Sequence, residues 1–317
     1  MDDQKLQSLR DLINEELLAV YTTGPESLTR PIYYVLSGSG KRLRPILTLI
    51  TAKTCGCSTV DSLPAALAVE VLHNFTLVHD DIMDDDHTRH GQLTVHEKWD
   101  VGTAILTGDA MLSLAMILLL HKDGYPPALM PVFTEGLLKV CEGQALDKEF
   151  ENRNDVTIDE YVEMIDLKTG HLLGLSAEMG AIVAGVSTDV RQALRDYARL
   201  IGRAFQVQDD LLEIYSDSSK MGKSLHSDII LGKKTYLMIQ ALTEIPERIT
   251  AALHTAEKDI ATGLQLIRQS LDEQGIHEQA LEYVESTIQH ANDILAAVDV
   301  PSSDLMYFSN LITKRRN

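Results

Sequence analysis

Positive charge is scarce in this 317-residue chain: 28 lysines and arginines face 47 aspartates and glutamates, a net charge of −19. Such a deficit repels nucleic acid and anionic membrane surface unless the cations cluster, so no nucleic-acid partner is expected. Cysteine is almost absent. The three present, Cys55, Cys57 and Cys141, form an odd count without the Cys/His spacing of a metal site, which points to reduced packing residues in a reducing compartment. The opening Met1-Asp2-Asp3-Gln4 lacks the basic stretch and apolar run of a secretory signal, so a cytoplasmic protein is expected. The longest apolar stretch, 111–120, is about half the length of a membrane span and follows Asp109. It reads as a buried core helix, with no membrane span. No Pro/Gly/Ser linker precedes the segment from Tyr215 to Lys234, and no fixed-period repeat or low-complexity run is present. A single domain over residues 1–317 is the expectation.

Strict period-two alternation is also hard to find, whereas apolar residues recur at three- and four-residue spacing nearly everywhere. The spacing predicts an all-α fold with helices over 3–21, 28–37, 41–56, 61–85, 94–121, 127–151, 157–185, 188–216, 230–242, 246–261, 276–297 and 302–314. Those over 61–85, 94–121, 157–185 and 188–216 are apolar on most faces, as central members of a many-helix bundle would be.

Two of these long helices end in carboxylates. The first carries His79-Asp80-Asp81-Ile82-Met83-Asp84-Asp85-Asp86. At about 100° per residue, Asp80 and Asp84 lie about 40° apart on one face, and Asp81 with Asp84 forms an i, i+3 pair. Acids at a helix C-terminus oppose the macrodipole as well as each other, a cost that a bound cation would offset. Mg²⁺ favours a few carboxylates plus water and substrate phosphate, so the cluster suits a metal-bound diphosphate. The second cluster, Phe205-Gln206-Val207-Gln208-Asp209-Asp210-Leu211-Leu212-Glu213, repeats the logic with Asp209 and Glu213 at i, i+4. A solvated helix end explains either cluster alone; two at similar spacing point to chemistry.

In so acidic a chain the cations become informative. Gly40-Lys41-Arg42-Leu43-Arg44-Pro45 packs three of them into four positions at a helix start, where unpaired amide N–H groups add to an anion site. Arg89-His90-Gly91 follows the first acidic cluster, Lys168-Thr169 sits inside an apolar helix, and Lys223, Lys233 and Lys234 follow the second cluster. Together they form a set able to cradle two diphosphates.

The order of these motifs, with Glu142-Gly143-Gln144, Lys168-Thr169-Gly170 and Gly232-Lys233-Lys234-Thr235, resembles the trans-type (E) polyprenyl diphosphate synthases over nearly the whole chain. The resemblance implies the all-α isoprenoid synthase fold, a homodimer, and isopentenyl diphosphate plus an allylic diphosphate (dimethylallyl, geranyl or farnesyl) as substrates. It also implies Mg²⁺, with three ions per active site. Residue by residue, it assigns Asp80 and Asp84 to two magnesium ions with Asp81 in support, and Asp209 to a third with Asp210 and Glu213 nearby. Arg89, Lys168, Thr169, Gln206, Lys223 and Lys233 match positions that contact the allylic substrate. Lys41, Arg44 and His73 match the isopentenyl diphosphate site, which the basic tail Lys314-Arg315-Arg316 helps to close.

Two positions depart from the family pattern. His90 stands where a second arginine is common, which weakens the grip on isopentenyl diphosphate or makes it pH-dependent. Glu213 stands where aspartate is usual, a longer carboxylate that still reaches a metal. Product length in this family depends on the residues four and five places before the first aspartate motif, here Thr76 and Phe75. Four residues of helix drop about 6 Å, so Thr76 lies under Asp80 and Phe75 plugs the space beside it. The segment from His73 to Asp81 resembles the archaeal-type short-chain geranylgeranyl synthases and lacks the two-residue insertion of the bacterial farnesyl type. A twenty-carbon product is expected, fifteen carbons being the alternative. A non-catalytic subunit that tunes an active synthase, a terpene cyclase, and a plain helical bundle are the competing readings.

Overall fold

The computed structural model describes residues 3–120, 124–215 and 234–313. Helices dominate: α1 (Asp3–Ala19), α2 (Glu26–Leu36), α3 (Leu43–Thr54), α4 (Thr59–Met83), α5 (Val95–Lys98), α6 (Val101–Leu120), α7 (Leu129–Glu151), α8 (Ile158–Ile165), α9 (His171–Val183) and α10 (Thr188–Tyr215). They continue with α11 (Tyr236–Glu244), α12 (Pro246–Ala256), α13 (Ile260–Gln274), α14 (Ile276–Ala296) and α15 (Met306–Thr313). The all-α expectation is met. The chain divides into two compact units, one formed by Met1–Leu137, Leu172–Arg195 and Val298–Leu305, the other by Leu138–His171, Asp196–Ala297 and Met306–Asn317.

In the first unit, α4 is the axis. Ser58 caps its start by accepting from the Asp61 N–H at 3.1 Å, and the run from Ala65 to Leu72 is buried on every side. Helices α3 and α6 pack against it. Helix α6 corrects one expectation. It is apolar all round and long enough by length and composition to cross a membrane, yet it is not a fully buried core helix. Ala104, Thr107, Gly108, Met111, Leu114, Ala115 and Leu119 are buried, while Val101, Ile105, Leu106, Ile117 and Leu120 are exposed. Residues on one half of the cylinder meet the fold, and the equally apolar other half faces outward.

A two-stranded hairpin, β1 (Thr88–Arg89) and β2 (Gln92–Leu93), follows α4. Its turn residues His90 and Gly91 both take positive φ, 51° and 78°, the conformation a two-residue hairpin turn demands. Hydrogen bonds fix both ends: the Tyr34 hydroxyl donates to the Leu93 carbonyl at 2.7 Å, and the Thr94 hydroxyl donates to the Asp86 carbonyl at 2.7 Å. The hairpin escaped the sequence reading because each strand is too short to show a period.

In the second unit, α8 begins with a reciprocal cap. Thr157 accepts from the Glu160 N–H at 3.3 Å, and Glu160 accepts from the Thr157 N–H at 2.8 Å. The expected continuous helix over 157–185 is interrupted: Asp166–Gly170 forms one π turn between α8 and α9. Helix α13 was not anticipated, although its signals are present. Asp259 caps it, accepting from the Ala261 and Thr262 N–H groups at 3.1 and 3.3 Å, and Gly275 ends it in the left-handed region. The anticipated helix over 230–242 is α11, beginning at Tyr236 behind the Thr235 cap.

Candidate active site

The first acidic motif closes α4. Asp84 is the C-cap, its N–H donating to the Asp80 carbonyl at 2.8 Å, so Asp80 and Asp84 keep the helical i, i+4 relation. Both are half-buried, whereas Asp81 is buried. Asp81 is turned into protein, where Arg89 Nε donates to its Oδ1; Arg89 Nη2 also reaches Asp86 at 3.2 Å. Burial pushes the Asp81 carboxyl up, with the Arg89 charge and hydrogen bond opposing it. The hairpin therefore returns Arg89 over the motif, and one of its carboxylates is spent on holding that arginine.

The cations of the Lys41–Arg44 segment separate by role. Lys41 is exposed. Arg42 is buried, in the left-handed region at φ 51°, and its guanidinium donates to Glu70 at 2.7 Å, Asn14 at 2.9 Å, and the Leu36 and Gly38 carbonyls at 2.9 and 2.7 Å. It is a structural tie among α1, α2 and α4. Arg44 Nη1 lies 3.1 Å from His73 Nε2. An arginine has no acceptor, so Nε2 accepts and the imidazole proton sits on Nδ1. Burial, then the positive charges of Arg44, Arg89 and Arg42, push His73 well below the ordinary histidine range. It is a neutral imidazole in the field of three arginines, to which exposed His90 adds. Phe75 is buried, and its ring meets the His79 ring edge-on at 4.8 Å. His79 in turn lies over Gly108 of α6, where a Cβ would sit 2.2 Å from Nε2. The Thr76 hydroxyl donates to the His73 carbonyl at 2.8 Å.

The second motif lies on α10. Asp209 and Glu213 are half-buried and Asp210 is buried. Asp210 accepts from the Tyr161 hydroxyl, from the Tyr236 N–H at 3.1 Å and from Gln206 at 3.4 Å. Burial pushes its carboxyl up to about 6 despite those three donors. Gln206 also accepts from the Thr169 hydroxyl at 3.2 Å, and Lys168 Nζ donates to Asp147 at 2.5 Å. Lys168 and Thr169 belong to the π turn, which aims neighbouring side chains at different helices, Lys168 at α7 and Thr169 at α10. Lys223, Lys233 and Lys314-Arg315-Arg316 lie outside the described residues.

Several participants were missed from sequence. Asp147 sits one turn beyond Gly143 on α7, Tyr161 lies seven residues before Lys168, and Asp166 holds Arg199 and Arg203. Each was legible only as an ordinary polar residue on a helix. Gln144 is buried, and neither of its amide atoms has a hydrogen-bond partner among the described residues.

No group of three or more metal-ligating side chains is assembled among the described residues. The donor set still fits Mg²⁺. That ion takes one or two carboxylates and fills its remaining positions with water and phosphate oxygens, so Asp80 and Asp84 at the end of α4, and Asp209 and Glu213 at the end of α10, offer suitable pairs.

An all-α chain with two carboxylate motifs on long helices, each accompanied by its own cations, has the features of an all-α transferase of the prenyl-synthase kind. The comparison with known proteins is specific: residues 25–269 match the Polyprenyl synthetase family, and the chain belongs to that family of prenyl-transferring enzymes. It is 42% identical over 234 residues to the geranylgeranyl diphosphate synthase of Methanosarcina mazei, covering 73% of this chain and 72% of that one. It is 39% identical over 254 residues to the geranylfarnesyl diphosphate synthase of Natronomonas pharaonis, covering 73% and 74%. A crystal structure of a geranylgeranyl pyrophosphate synthase superposes with a TM-score of 0.92 at 39% identity over 100% of both chains.

Proposed function

We propose that this protein condenses isopentenyl diphosphate with an allylic diphosphate (dimethylallyl, geranyl or farnesyl) to make geranylgeranyl diphosphate. The observation that carries the activity is the repeated division of labour in the two acidic motifs. In each, one aspartate is buried and accepts from protein donors, and its neighbour, Asp80 or Asp209, is half-buried with a second half-buried carboxylate one turn on.

In this reading Asp80, Asp84, Asp209 and Glu213 would hold three magnesium ions. Bound magnesium would act as a Lewis acid on the departing diphosphate. Arg89 and Lys168 add positive charge for the allylic diphosphate as its carbon–oxygen bond breaks, and Thr169 and Gln206 orient it. Lys223 and Lys233 complete that set by resemblance. Lys41, Arg44 and His90 take the diphosphate of isopentenyl diphosphate; His73, neutral and accepting from Arg44, fixes the guanidinium without adding a competing negative charge. The double bond of isopentenyl diphosphate then attacks the allylic carbon. The proton lost from the adduct goes to the released diphosphate, so no side-chain nucleophile is required.

Phe75, buried one turn and a half before Asp80, supports the short-chain assignment, with Thr76 beside it. Residues 1–317 act as one synthase domain in this reading, in keeping with relatives that align over the whole chain. A cytoplasmic homodimer completes it. The outward half of α6, with Val101, Ile105, Leu106, Ile117 and Leu120 exposed, is the apolar face such a dimer would cover.

The test is product analysis: purified protein with Mg²⁺, labelled isopentenyl diphosphate and, separately, each of the three primers, followed by sizing of the dephosphorylated products. A discrete linear twenty-carbon product is expected. A fifteen- or twenty-five-carbon stop overturns the product assignment and keeps the reaction, and no condensation with any primer overturns the reaction and favours a non-catalytic subunit.

A further inference from the structure

The π turn that presents Lys168 and Thr169 is clamped from two sides. On the α7 side, Gly143 lets it seat: a Cβ there would fall 2.3 Å from the Lys168 nitrogen and 2.8 Å from the Leu167 carbonyl carbon. On the α10 side, Gly170 does the same, since a Cβ would fall 2.6 Å from Asp166 Oδ1 and 3.1 Å from the Arg199 carbonyl oxygen. A π turn is intrinsically less favourable than an α turn and persists only where its surroundings fix it. The two glycines permit the seating but do not supply attraction.

That attraction comes from Asp166, the first residue of the turn. It is 5% exposed, accepts from Arg203 Nε at 2.8 Å, and accepts from Arg199 through Nη2 and, at 3.4 Å, Nε. His171 Nε2 lies 3.8 Å away. Arg199 and Arg203 are four residues apart on α10, and Gln206 and Asp210 continue the same face at i+7 and i+11 from Arg199. This one stripe therefore meets Asp166, Thr169 and Tyr161 in turn. Burial alone would raise the Asp166 carboxyl; the two arginines outweigh it and hold the group below its usual range.

We propose that Asp166, through Arg199 and Arg203, is a positioning residue that locks the π turn against α10 and thereby fixes Lys168 and Thr169 for the allylic diphosphate. None of the three need touch substrate. The inference rests on the prenyltransferase reading above.

The test is Asp166→Asn, with Arg203→Lys as a second variant that keeps the charge and changes the reach. Hydrogen exchange of the backbone amides of residues 167–170 reports the lock in the full chain without reference to activity. Steady-state kinetics report its consequence. The expected result is exchange in that segment faster by about tenfold or more in Asp166→Asn, with a KM for the allylic diphosphate raised by about tenfold and a KM for isopentenyl diphosphate changed less than about twofold. Arg203→Lys should fall between wild type and Asp166→Asn in both readouts. Unchanged exchange in both variants overturns the proposal, as does an equal rise in both KM values, which a general loosening of the fold would give. If wild-type protein shows no condensation, the prenyltransferase reading fails by itself, while the exchange measurement still decides whether Asp166 locks the turn.

Discussion

Replacement of Arg42 by methionine is predicted to be among the most damaging single changes in the first unit, although it lies outside the reacting groups. The guanidinium is buried and makes four hydrogen bonds: to Glu70 Oε1 at 2.7 Å, to Asn14 Oδ1 at 2.9 Å, and to the Leu36 and Gly38 carbonyls at 2.9 and 2.7 Å. Glu70 is itself 3% exposed; without Arg42 it keeps one hydrogen bond, from Asn74 Nδ2 at 3.4 Å, and the more distant charge of Arg44. Removing the arginine strands a buried carboxylate, which costs about 3–5 kcal/mol. A loss of about 3–5 kcal/mol is thus expected, measured by urea denaturation near neutral pH.

The cause of that loss is separable from packing. If the stranded charge dominates, Glu70→Leu placed in the Arg42→Met background should restore about 2–3 kcal/mol, because no buried charge then remains. If the double variant is destabilised by the sum of the two single changes, the argument from an uncompensated carboxylate is refuted. A loss under about 1 kcal/mol in Arg42→Met alone would refute it more directly. Arg42 also lies between Lys41 and Arg44, so the variant that folds should show a raised KM for isopentenyl diphosphate.

Asp80→Ala and Asp209→Ala should each lower turnover by more than about a hundredfold with the helical circular dichroism unchanged; near-normal turnover in either removes that residue from the metal assignment. Phe75→Ala should shift products to longer chains, read by the same sizing of dephosphorylated products, and an unchanged profile would show that Phe75 does not limit chain length. Asp166 has a folded-state pKa below its unfolded value of 3.8, so its contribution to stability is fully present above that value and is lost as pH falls through the folded one. The stability gap between wild type and Asp166→Asn should therefore be largest at neutral pH and shrink in acid, and a gap independent of pH would show that the ion pairs contribute nothing.

The helical architecture was legible because apolar residues return at helical spacing in α2, α8 and α10 and run on past the length of a strand in α4 and α6. Helix α13 was lost despite an aspartate cap and a terminal glycine, since Ile260, Leu264, Ile267 and Leu271 form only a narrow stripe in a polar segment. The hairpin and the π turn were not legible for a different reason. Both are set by what packs around them, the first by Tyr34 and Asp86, the second by Gly143, Gly170 and Asp166, and a local pattern carries no trace of such partners. The half-exposed face of α6 was misjudged because a helix apolar on all sides looks the same whether one half or both are covered.

The two acidic motifs show what sequence and structure each contribute to the site. Consecutive aspartates on a helix point about 100° apart, so a pair at a buried helix end cannot present both carboxylates to the same ligand. One must turn inward. In the first motif it is Asp81, held by Arg89; in the second it is Asp210, held by Tyr161 and the Tyr236 N–H. Both inward carboxyls are raised by burial. Their neighbours, Asp80 and Asp209, are half-buried, each with a second half-buried carboxylate one turn on, Asp84 and Glu213, and the proposed metal assignment rests on these four. On that assignment an inward aspartate fixes the helix end and its neighbour serves the ligand, which would account for the adjacent acids of each motif. It also separates, within each pair, the residue whose loss should disturb the surrounding structure from the residue whose loss should stop the reaction.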